Sequence, residues 1–201
     1  LLYCQSGRKE FAEKVIQGFQ SLGKGGVWSD HIDRRTAWGL SGYAGAVDLI
    51  FNYFKNSQQE LHAKVVSELA RKADEIYHLG LENIYEAKYY FLTIGRVALV
   101  LAEYKSPYKS GPKEWLLAAT KYLFEKHPVV GRPMDGMFSP GGLYSTGGYK
   151  GYFYDNLFDW IERCLNVTGV NLMKVYPFLR KMTLNMCWEI TPYGAPPEYN
   201  A

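Results

Sequence analysis

The residue of this sequence best placed to do chemistry is a tyrosine set among glycines. Tyr149 follows Gly147 and Gly148 and precedes Lys150 and Gly151. Glycine on both sides lets backbone and ligand approach each other closely. Residues 149–167 have helical periodicity, so Tyr149 stands at a helix mouth, where the positive end of the dipole favours a phenolate. The Lys150 ammonium is an adjacent cation. Both effects lower a phenol from its ordinary pKa of about 10. A tyrosine tuned in this way accepts a proton as a base and returns it as an acid. Asp135 and Tyr144, upstream in the same segment, offer a carboxylate and a second phenol for binding a substrate.

Two other clusters could complete such a site. The first runs Trp28-Ser-Asp30-His31-Ile-Asp33-Arg34-Arg35-Thr-Ala-Trp38 and opens a glycine-rich helix. Arg35 can hold a carboxylate bidentately, His31 can neutralise it or act as a base, and Trp38 offers a ring. The structural alternative is that Asp30 caps the helix, Asp33 pairs with a neighbouring arginine, and His31 is a loop residue. The second cluster is Asn83-Ile-Tyr-Glu86-Ala-Lys88-Tyr89 at the mouth of an apolar helix. Asn83 is of a type that can neutralise a carboxylate, and Glu86 could bind substrate beside it. Asn83 serving as an N-cap is the alternative. Asp30 or Asp33 with Asp135 could also make the carboxylate pair of a glycoside hydrolase.

Asp135-Gly-Met-Phe138, a glycine-rich polar spacer, then Thr146-Gly-Gly-Tyr149-Lys-Gly151 and an amphipathic helix together resemble the central motif of α/α-toroid polysaccharide lyases. These are the heparinase II/III-like, alginate and hyaluronate/chondroitin lyase groups. The likeness covers residues 135–169. It implies that Tyr149 removes the C5 proton of a uronic acid and protonates the departing O4, and that a histidine or asparagine on another helix neutralises the carboxylate. It also implies an acidic polysaccharide as partner, an extracellular or periplasmic location, and further domains of the same polypeptide. The sequence departs from the pattern where Ser139, Pro140 and Gly141 stand in place of the histidine that some of these lyases have, and no histidine follows His127.

Composition sets the bounds. Of 201 residues, 47% are hydrophobic and 21% charged, so the chain is neither disordered nor fibrous. A net charge of +3 is far from a nucleic-acid footprint and suits an acidic ligand only mildly. The 17 Tyr, 10 Phe and 5 Trp are the anomaly; an apolar ring with a polar tip suits a half-wet sugar groove, although the same rings also pack cores. Cys4, Cys164 and Cys187 form no CxxC, and no two histidines share ligand spacing, so no metal or cofactor is expected. An axial offset of roughly 10 Å argues against a Cys164–Cys187 bridge, while Cys4 could pair with either. The most apolar stretch, residues 89–101, is interrupted by Arg96 and is too short to span a membrane. Asn166-Val-Thr168 is a glycosylation triplet. A start at Leu rather than Met leads us to expect a processed product or a piece of a longer chain.

The elements that must position these residues are helices. Apolar spacing predicts helices over residues 8–22, from about 33 to 55, and over 58–79, 83–104, 113–126, 149–167 and 176–190. Ser57 with Glu60 reads as a capping box, Gly80 as a stop, and Pro112 as a first helical residue. The charged helix 58–79 reads as an outer element and 83–104 as an inner one. The small residues Gly39, Gly42, Ala44, Gly45 and Ala46 suggest a close backbone or ligand approach. Residues 129–148 hold six glycines and two prolines in twenty positions and read as a functional loop. The expected architecture is all-α: stacked antiparallel helical hairpins, part of an (α/α) toroid, over residues 1–190, with 191–201 a linker or frayed C-terminal end.

Overall fold

The computed structural model describes residues 2–21, 34–128 and 150–181. Every element among them is helical and no strand occurs, as the spacing predicts. In chain order they are α1 (Leu2–Ser6), α2 (Lys9–Ser21), α3 (Arg34–Ser57), α4 (Gln59–Glu82), α5 (Ile84–Val100), α6 (Pro112–Leu117), a π-turn (Ala118–Tyr122), α7 (Lys150–Thr168) and α8 (Leu172–Val175). Contacts gather into two compact units, Leu1–Ala119 and Thr120–Ala201.

The first unit is built on the succession α3–α4–α5. Each neighbouring pair is joined by a single residue, Gln58 and then Asn83, and packs as an antiparallel hairpin. It follows that α3 and α5 run parallel. The side chains agree: Trp38 meets Tyr89, and further along both helices Ser41 meets Arg96. Helix α5 is the inner one, burying Ala87, Tyr89, Tyr90, Phe91, Leu92, Ile94, Val97 and Ala98. Helix α2 packs on α3, with the Phe19 ring stacked on Phe54 at 5.5 Å and near Tyr43, and with Glu13 accepting from the Tyr53 hydroxyl at 2.9 Å.

Helix α4 is amphipathic rather than wholly outer. Its solvent side carries Arg71, which bonds both Glu68 and Glu75. Its other side buries Val65, Val66, Leu69, Ala73 and Ile76 at helical spacing. Two of its expected boundaries differ. Ser57 is the last residue of α3, and Gln58 is the N-cap of α4 with no side-chain cap bond. The backbone is already satisfied there, because Gln58 N donates to Phe54 O at 2.9 Å and Gln58 O accepts from His62 N at 2.8 Å. Gly80 does not stop α4, which runs on to Glu82. The glycine is kept for space: a Cβ there would stand 2.5 Å from Cε1 of the buried Phe91.

After α5 the chain folds back along α4 and is anchored by a polar cluster. The Ser110 amide and hydroxyl both donate to Asp74 Oδ1 at 2.7 Å, and the fully buried Trp115 donates its Nε1–H to Ser110 Oγ at 2.7 Å. Pro112 opens α6, and Glu114 Oε2 accepts from the Gly111 amide at 3.0 Å. Where a regular helix to residue 126 is expected, the ladder widens into the π-turn.

In the second unit α7 buries Phe153, Leu157, Trp160, Ile161 and Cys164 along one stripe. Phe124, Tyr176 and Phe178 form a ring cluster with centroids 5.0 to 6.2 Å apart. The expected helix over residues 176–190 is interrupted at its start, because Tyr176 is the C-cap of α8 and Pro177 follows in a turn.

Candidate functional site

Parallel α3 and α5 bring the two helix mouths singled out in the sequence to one end of the first unit. Arg34 and Arg35 open α3, and Asn83 and Glu86 open α5. One turn further in, Trp38 on α3 meets Tyr89 on α5 edge-to-face, with centroids 6.3 Å apart and planes at 84°. The Lys88 ammonium lies 5.1 Å from the Tyr89 ring centroid, on a side chain that is itself buried. Deeper still, Arg96 Nη1 donates to Ser41 Oγ at 2.7 Å. Two helix N-termini, the buried Lys88, two rings and the half-buried Glu86 carboxylate thus share one end.

The individual residues fare differently. Asn83 is the N-cap of α5, its Oδ1 accepting from the Glu86 amide at 3.4 Å. With the oxygen so used, only the amide NH₂ end can be offered to a carboxylate. Glu86 sits half-buried in the first turn of α5, and Trp38 is half-buried on α3. Only the backbone is described for Arg35, in the first turn of α3, and for Lys150, the first residue of α7. His31, Asp135, Tyr144 and Tyr149 lie outside the described residues, as do residues 191–201. Helix α7 is described from Lys150 onward.

The described tyrosines whose acidity is perturbed are all held in the wrong direction for a base. Burial raises Tyr43. Tyr53 is raised chiefly by its hydrogen bond to Glu13. Tyr176 is raised by burial and by its hydroxyl donating to Glu125 Oε1 at 2.7 Å. Tyr53 and Tyr176 are structural donors, and the aromatic excess is to that extent packing. Cys4 and Cys164 are free thiols; burial pushes Cys164 up to about 12, which removes it as a nucleophile.

Sequence reasoning missed the inward role of Arg96 and Ser41. The available signal was an arginine in the middle of the most apolar helix, a place where a cation must find a partner. A methyl group added at Gly42 or Gly45 of α3 would meet no described atom within 4 Å, so no described backbone explains these glycines. Among the described residues no group of three or more His, Cys, Asp or Glu could hold a metal, and no helix is long and apolar enough to cross a membrane. No protein family, curated protein or solved structure matches the chain.

Proposed function

We propose that this protein acts on a uronate-containing acidic polysaccharide by β-elimination outside the cell, as part of an (α/α) toroid. The observation that carries the proposal is the union of the α3 and α5 mouths at one end of the first unit, pinned by the Trp38–Tyr89 contact. It supplies what elimination needs beyond a base: positive potential for the uronate carboxylate and rings for the sugar face. In this mechanism Tyr149 takes the C5 proton, the O4 glycosidic bond breaks with formation of a C4–C5 double bond, and Tyr149 returns the proton to O4. His31, Arg35 or the Asn83 amide neutralises the carboxylate and so lowers the cost of the carbanion-like transition state. Trp38, Glu86, Asp135, Tyr144 and Lys150 contact the neighbouring sugars.

Incubation with alginate, heparin, hyaluronan and pectin tests this through the ultraviolet absorbance of the unsaturated product. The chromophore should appear with at least one glycan and vanish in Tyr149→Phe. Reducing ends without chromophore would refute elimination in favour of hydrolysis. A second reading, a non-catalytic glycan-binding module, is favoured by the missing histidine in residues 139–141. It predicts retardation in a glycan-containing gel with no product.

A further inference from the structure

The last turn of α7, the connection after it and the end of α8 expose apolar side chains. Leu165 is 43%, Val167 63%, Val170 44% and Val175 54% exposed, all within residues 165–175. Inside this stretch falls the chain's one Asn-x-Ser/Thr triplet, Asn166-Val167-Thr168, with Asn166 exposed on the last turn of α7. We propose that Asn166 carries an N-linked oligosaccharide that covers this apolar turn. A carbohydrate chain rooted between Leu165 and Val167 lays the C–H faces of its first sugars where the uncovered side chains lie, and its hydroxyls outward. Exposed apolar clusters otherwise mark contact sites or aggregation hazards. The proposal rests on passage through a secretory compartment and not on the elimination chemistry.

The transfer is a substitution at an anomeric carbon. The C1–O bond of a polyprenyl-diphosphate-linked oligosaccharide breaks, and the diphosphate leaves with the electron pair. The C1–Nδ2 bond to Asn166 forms, and the amide proton passes to a base of the transferase. The structure also fixes the order of events. Thr168 Oγ1 donates to Cys164 O at 2.6 Å and accepts from Val170 N at 3.2 Å. Gly169, at φ 73°, closes the helix with its amide on Leu165 O at 3.0 Å. The threonine hydroxyl that a transferase must engage is therefore occupied once α7 is complete, and the acceptor is the chain before that last turn closes.

The test is to produce the full chain behind a secretion leader in a eukaryotic host and map Asn166 by peptide mass spectrometry. Most copies should carry the oligosaccharide. Thr168→Ser should remain modified, and Asn166→Gln should not. Enzymatic removal of the sugar from the folded protein should raise the fluorescence of an apolar-surface dye severalfold, matching Asn166→Gln. Tyr149→Phe should be modified like the parent, which separates this outcome from the catalytic proposal. An unmodified Asn166 in the secreted chain overturns the inference. Equal dye fluorescence with and without the sugar also overturns it, and leaves the turn as a surface for another macromolecule.

Discussion

Replacing Gly80 by alanine should loosen the α4–α5 hairpin although it improves helix propensity. In an exposed helix interior the change would gain up to about 1 kcal/mol. Here the new methyl would stand 2.5 Å from Phe91 Cε1, 3.0 Å from Cδ1 and 3.3 Å from Cζ. The Phe91 ring is stiff and fully buried, so it must shift by roughly 1 Å within a packed core. Overpacking of that kind costs about 1–3 kcal/mol, and a contact this short belongs at the upper end. The net expectation is a loss of about 2 kcal/mol, a factor of roughly 30 in the folding equilibrium. For a chain of 201 residues that is a fall of about 4–8 °C in Tm. Circular dichroism on heating measures it, and urea titration checks that the m-value is unchanged. Gly80→Ala/Phe91→Leu, which removes the obstructing ring edge, should be less destabilised than the sum of the single changes. A Gly80→Ala midpoint equal to or above the parent's would refute the view that the glycine exists to admit the ring.

Other outcomes follow from the same structure. Ser110→Ala strands the Trp115 Nε1–H in the core and should cost about 1–3 kcal/mol in urea unfolding, whereas Ser110→Thr, which keeps the hydroxyl, should recover part of it. His62 is buried between the Phe51 and Phe54 rings, and burial, then Lys55, lowers its pKa from the ordinary 6.5. Its neutral form is favoured in the folded state, so stability should be flat in this contribution above that value and fall as the pH drops below it, with the extra slope absent in His62→Leu; equal slopes in parent and variant would contradict the burial argument. Asn83→Ala should lose the α5 cap, at about 0.5–2 kcal/mol. Asn83→Asp keeps the cap but sets a carboxylate against a uronate, so retained Tm with weakened glycan binding would separate the two roles.

The helices of this protein are legible in its sequence because each buries a stripe of 3.6-residue period, and α2, α3, α5 and α7 fall where the spacing places them. The differences share a cause: a distant partner overrules a local signal. Gly80 reads as a stop until Phe91 takes the space its missing side chain leaves. The outer character of α4 reads as complete because its charges are many, yet Arg71, Glu68 and Glu75 satisfy one another on a single face and leave the opposite face to the core. The Asp74–Ser110–Trp115 anchor joins positions 36 apart in the chain, and no spacing rule reaches that far.

The same holds for the candidate site. Spacing flags the clusters at residues 28–38 and 83–89 separately, but nothing in either says that Trp38 of the one meets Tyr89 of the other. Their meeting follows from topology: two one-residue connections force α3 and α5 parallel, and parallel neighbours present like ends. Arg96 on Ser41 adds a polar constraint on the register of α3 against α5, because a half-buried cation must keep its partner. Arg96 and Ser41 therefore act as a register pin. They hold the height at which Trp38 on α3 faces Tyr89 on α5, and with it the relative level of the two helix N-termini.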